Sequence, residues 1–159
     1  MSMCYWMIEG VGVAVDKVYP HLDNEKVTRM LHKQFPDDEG IAEIMNSGRY
    51  GDMNMNPCVY SDCGVNLIDF FHGKGFDGGL GDLLCHCDDT DSLTFCDDGE
   101  GCEYFYYPPS MPWHRTDTEP DSIEEVHRRI IKAVQKLTNL SDAEIAAMIN
   151  DDLYEVGCG

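Results

Sequence analysis

Cys85, His86, Cys87, Cys96 and Cys102, with Cys58 and Cys63 upstream, are the residue types that hold zinc. A structural zinc centre takes four ligands converging tetrahedrally, usually from paired CxxC knuckles, and no pair here has that spacing. On a strand, Cys85 and Cys87 share one face and His86 points to the other. An even loop at Asp88–Ser92 sets Cys85 opposite Cys96, whereas an odd loop groups Cys85 and Cys87 with Leu93 and Phe95. Reduced, buried thiols account for the same residues, so no metal ligand is assigned and no cofactor is expected. Hard cations would turn instead to Asp88, Asp89 and Asp91, or to Asp97, Asp98 and Glu100. Neither cluster continues into a calcium loop with its closing bidentate Glu, and Asp and Gly favour tight turns for backbone reasons alone.

Gly73 to Gly78 reads GKGFDG and formally matches GxGxxG. That fingerprint works only between a strand and a helix whose N-terminus receives the pyrophosphate. The residues that follow, GLGDLLCHC, are expected to enter a strand, and Asp77 and Asp82 would repel phosphate, so a connector is the reading taken. No Gly-Lys-Ser/Thr occurs, which excludes a P-loop. His21, His32, His72, His86, His114 and His127 are scattered, and there is neither HExxH nor GxSxG. With no nucleophile, base and oxyanion donor assignable together, no catalytic residue is expected.

Charge is the strongest signal. The formal net charge is −19, from 30 carboxylates and 11 Lys and Arg in 159 residues. Between Lys74 and Arg115 there is no Lys or Arg, but nine carboxylates: Asp77, Asp82, Asp88, Asp89, Asp91, Asp97, Asp98, Glu100 and Glu103. Nucleic-acid affinity comes mainly from cations on phosphates, so direct DNA or RNA binding is not expected. A basic protein surface is the natural partner. The positives are segregated, with Lys17, Lys26, Arg29 and Lys33 early and Arg128, Arg129, Lys132 and Lys136 in one later segment.

Placing these residues requires a scaffold. The stretch LLCHCDDTDSLTFCDDGEGCEYFYYPP, Leu83 to Pro109, predicts a three-stranded antiparallel meander: Leu83–Asp88, Leu93–Asp97 and Cys102–Tyr107, with acidic turns between them. Leu93 and Phe95 are expected to share the core face with Tyr104 and Tyr106, leaving Phe105 and Tyr107 on the other. Cys4 to Val15 predicts a strand, with Gly10 and Gly12 marking a bulge. Asp23 caps a helix carrying Val27, Met30, Leu31 and Phe35, ended by Pro36. A second short helix is expected over Asp38–Asn46, and Val65–His72 fits either a short helix or a buried strand, with helix the reading taken. Ser122 with Glu125 predicts a capping box for a helix burying Ile123, Val126, Ile130, Val134 and Leu137. Ser141 with Glu144 predicts another, for a helix reaching about Ile149, and Leu153 to Val156 a final strand. The expected architecture is α+β, a single domain over residues 1–159 with helices on one face of a mainly antiparallel sheet.

The opening residues show no basic region before an apolar run, and Glu9 interrupts the only such run, so no signal peptide is read. No stretch approaches a bilayer span. The expected compartment is the cytoplasm, with mostly free thiols. In size, charge and lack of catalytic signatures the chain resembles the small acidic inhibitors that phages deploy against nucleic-acid-cleaving host defences, such as anti-CRISPR and anti-restriction proteins. The resemblance covers no alignable segment. It implies a non-catalytic nucleic-acid mimic, acting in the host cytoplasm if phage-encoded, that binds the basic channel of a nuclease through Asp88, Asp89, Asp91, Asp97, Asp98, Glu100 and Glu103, with Trp113 as an anchor. Two alternatives from other classes are a cytosolic structural or adaptor domain stabilised by zinc and an enzyme whose site is assembled from scattered residues.

Overall fold

A computed structural model describes residues 5–37, 71, 73–76, 79–87, 93–97, 103–107 and 122–158. Its elements in chain order are β1 (Tyr5–Ala14), α1 (Val15–Val18), a 3-10 turn (Tyr19–His21), α2 (Asn24–Gln34), α3 (Gly79–Cys85), β2 (Thr94–Asp97), β3 (Glu103–Tyr107), α4 (Ile123–Val134), α5 (Asp142–Ala146) and β4 (Asn150–Cys158). The four strands form one antiparallel sheet in the order β2-β3-β1-β4. The architecture is α+β, as expected. The segments expected to be helical at Asp38–Asn46 and across most of Val65–His72 lie outside the described residues.

β1 is the spine of the sheet. Residues 5–10 and Gly12 pair with β4 and residues 11–14 with β3, and the register with β4 shifts between Gly10 and Gly12. Gly10 has a φ of 146°, a conformation that glycine adopts without a Cβ clash. Across the shift β1 advances two residues, Gly10 to Gly12, while β4 advances three, Leu153 to Asn150, so the extra residue lies in β4. Ile8 and Val13 of β1 are both buried.

The meander is corrected in two respects. Its hairpin exists as β2–β3, with Thr94, Phe95, Cys96 and Asp97 opposite Tyr106, Phe105, Tyr104 and Glu103. Its expected first strand, Leu83–Asp88, does not: Leu83, Leu84 and Cys85 end helix α3, which buries Leu80, Leu83 and Leu84. Those leucines stand at i, i+3 and i+4, the spacing of one helical face. Their place beside β3 is taken by β1. The core face of the hairpin is also reversed. Phe105 and Tyr107 are buried, Tyr104 and Tyr106 only partly so, and the Phe95 and Phe105 rings meet at 6.0 Å. Gly81 lets α3 approach, since a Cβ there would stand 2.5 Å from the Phe95 ring.

α4 packs against β1 and β3, and buries Val126, Ile130, Ala133 and Val134, with Leu137 just beyond its end. Ile123, expected in the buried stripe, is 45% exposed, in the first turn of the helix. The capping box at its start is half formed. Ser122 Oγ accepts from Glu125 N at 3.2 Å, but the Glu125 carboxylate turns to Arg128 and Arg129. The box at Ser141–Glu144 is complete, and the helix it starts ends at Ala146 rather than near Ile149.

α2 is capped by Asp23, whose carboxylate accepts from Lys26 N at 2.9 Å. Val27, Met30 and Leu31 face the core. Lys26 Nζ donates to Gln135 O and Thr138 O, at 2.9 and 2.5 Å, where α4 has run out of amide partners. Asp23 N donates to Leu137 O at 2.7 Å, and Leu22 bridges Thr138. The start of α2 is thereby fastened to the end of α4. Thr138 is the one fully buried polar side chain among the described residues, and its Oγ1 donates to Val134 O.

Candidate functional site

Of the nine carboxylates between Lys74 and Arg115, the described ones are Asp82 in α3 and Asp97 and Glu103 in the β2–β3 hairpin. β2 is the edge strand of the sheet, and Asp97 and Glu103 are register partners at the end where the hairpin turns. Five residues, 98–102, separate them in the sequence. Glu103 is half-buried. Of the expected partner-binding residues, the structure brings together Asp97 and Glu103. Asp88, Asp89, Asp91, Asp98, Glu100 and Trp113 lie outside the described residues.

The thiols behave as packing groups where they are described. Cys85, Cys87 and Cys96 carry thiols that are in no disulfide, and Cys85 and Cys87 pack at the margin of the core. Burial, with Asp82 and Cys87 adding to it, pushes the Cys85 thiol up to about 12. The two face assignments considered for Cys85 and Cys87 both assumed a strand, and α3 replaces it. Cys96 pairs with Tyr104 across the hairpin. Among the described residues no group of three or more His, Cys, Asp or Glu is arranged to hold a metal ion.

The glycine segment fails the dinucleotide fingerprint for a reason opposite to the expected one. A helix, α3, does follow it, but the residues before it, Phe71 and Gly73, are helical instead of extended. Phe76 N and Lys74 N both donate to Phe71 O, closing a compact turn. His86 Nδ1 lies 2.8 Å from Asp82 O and 3.2 Å from Asp82 Oδ1, and its ring meets Phe76 edge-on. His127 is half-buried on α4, with Nε2 2.5 Å from Asp151 Oδ1 of β4. Each of these histidines ties one element to its neighbour.

One cluster was not assembled from the sequence. Lys26, Arg29 and Lys33 of α2 line a single cavity with Lys136, Met30, Gln135 and Cys87. The signal was present in the spacing, since residues 26, 29 and 33 fall on one helical face. What the sequence could not show was that Lys136, just past α4, and Cys87, just past α3, arrive at the same place.

No helix among the described residues is long and apolar enough to cross a membrane. Compared with models of known families, with curated proteins and with solved structures, the chain matches none.

Proposed function

We propose that the protein is a non-catalytic acidic inhibitor that occupies the basic nucleic-acid channel of a nuclease as a nucleic-acid mimic, of the anti-restriction or anti-CRISPR kind. The carrying observation is the segment of nine carboxylates between Lys74 and Arg115, uninterrupted by any Lys or Arg. The pairing of Asp97 with Glu103 at the hairpin end supports it. Fixed carboxylates on a hydrogen-bonded scaffold imitate spaced phosphates with little ordering left to do on binding. A cationic channel supplies both the counter-charge and the steering.

The test is inhibition of DNA cleavage by an RNA-guided nuclease and by a type I restriction enzyme, at two salt concentrations. Wild-type protein is expected to inhibit at least one, with slower association at the higher salt. Asp97→Lys with Asp98→Lys should weaken the complex by about 3 kcal/mol, as loss of close interfacial charge pairs does. The charge-matched control is Asp152→Lys with Glu155→Lys. Both of those residues are exposed, and the pair spares Asp151, which His127 engages. Equal weakening by the two double reversals would reduce the effect to bulk charge and remove the hairpin as a site. No inhibition of either enzyme by the wild-type chain would reject the reading.

A further inference from the structure

The cationic cavity between α2 and the end of α4 stands apart from the acidic hairpin and calls for its own account. We infer that it binds a small organic anion, a phosphate-, sulfonate- or carboxylate-bearing head on an apolar body. In a chain with 30 carboxylates and 11 Lys and Arg, four of those cations line one cavity of about 390 Å³. That volume is in the range of roughly 300–1,000 Å³ typical of small-molecule sites.

Helix physics explains only part of the cluster. Lysines near a helix C-terminus are favoured by the macrodipole, which suits Lys33 at the end of α2 and Lys136 just past α4. It does not explain Arg29, which lies in the middle of α2. Arg29 and Lys33 stand at i and i+4, where like charges weaken a helix. Glu25 lies one turn before Arg29 and is placed to neutralise it, yet the two make no ion pair. Among the described residues neither the Arg29 nor the Lys33 side chain has a hydrogen-bond or ion-pair partner. Lys26, by contrast, is clamped by Gln135 O and Thr138 O, so its charge has a fixed position in the wall.

The rest of the lining gives the ligand its second half. Met30 is 9% exposed and continuous with the core, and Cys87 packs against that core while its Sγ donates to Leu83 O. A thioether and a half-buried thiol offer polarizable, apolar contact to an aromatic or aliphatic body. The guanidinium of Arg29 and the ammonium of Lys33 serve the head.

The test uses phenyl phosphate as the probe and benzyltrimethylammonium as a cation with the same apolar body. Calorimetric titration at low salt should show saturable binding of phenyl phosphate and none of the cation. Arg29→Gln with Lys33→Gln, both exposed positions that should fold normally by circular dichroism, should weaken phenyl phosphate at least about tenfold. Phenyl phosphate should also slow the alkylation of Cys87 by uncharged iodoacetamide, read by peptide mass mapping, in the wild type and not in the double variant. Absence of saturable binding, equal binding by the double variant, or binding of the cation as tight as the anion each overturns the site. None of these outcomes depends on whether the acidic hairpin inhibits a nuclease.

Discussion

Glu125 gathers two guanidinium groups on one exposed turn. Its carboxylate accepts from Arg128 at 2.6 and 2.8 Å and from Arg129 at 2.8 Å. The bonds from Arg128 and Arg129 hold it well below the usual carboxylate range, at about 2. A folded-state value below the unfolded one, near 4.5, stabilises the fold above that pH. The contribution is lost as pH falls from 4.5 toward 2. Glu125→Gln should therefore lower the Tm at pH 7, and the gap to wild type should close over that acid window. A gap that stays constant from pH 7 to pH 2 would show that the carboxylate's charge is not what the turn uses. At Gly12 the constraint is steric. A Cβ there would lie 2.6 Å from Phe105 O and 2.6 Å from Tyr106 Cβ, both fixed by the β1–β3 ladder. Gly12→Ala should cost about 3 kcal/mol in denaturant unfolding, the upper end for overpacking. Gly81→Ala should cost less, because its obstacle is the Phe95 ring, which can swing. Equal losses at the two sites would mean that the backbone at Gly12 yields.

At the scale of elements, the join between α2 and α4 rests on Lys26 as much as on apolar packing. Lys26→Met keeps the stem that covers the helix and leaves the carbonyls of Gln135 and Thr138 without their donor. A loss of about 1–2 kcal/mol is expected in urea unfolding, since hydrogen bonds to a charged donor exceed neutral ones. No loss would show that water replaces the ammonium at those carbonyls. The elements that sequence patterning found are α2 behind Asp23 and α4 behind Ser122, each with a cap and a long stripe, and β1, whose glycines mark a register shift against β4. α3 escaped because a run as short as LLCHC does not distinguish helix from strand. Read from Leu80 instead of Leu83, the leucine spacing already has a helical period. The reversed face of the hairpin has a similar origin. The match of Asp97 with Glu103 sets Phe95 against Phe105, and a slip of one residue would have set it against Tyr104 or Tyr106. Of the candidate site, the acidic composition was legible. The cationic cavity was not, because Lys136 and Cys87 reach it only through the packing of three helices.

Over the whole molecule, the two proposed recognition surfaces divide by sign, an acidic hairpin for a basic macromolecular channel and a cationic cavity for a small anion. The sheet that carries the hairpin has one further property. β1, the earliest strand, is held on one side by β4, so that Tyr5 and Cys158 are register partners with nearly the whole chain between them. During synthesis β1 leaves the ribosome long before its partner exists. The hairpin can add to one side of β1 first, but the other edge stays bare until residues 150–158 emerge. A bare strand edge is a template for pairing with other chains, so the nascent protein is exposed to misassembly until β4 emerges. Closing so long a loop also places the fold among those that rely on distant contacts and form slowly. A nascent chain stalled after residue 149 should be cut by protease within β1, and release of the full chain should confer resistance. Resistance already present at the stalled length would show that β1 is secured without β4.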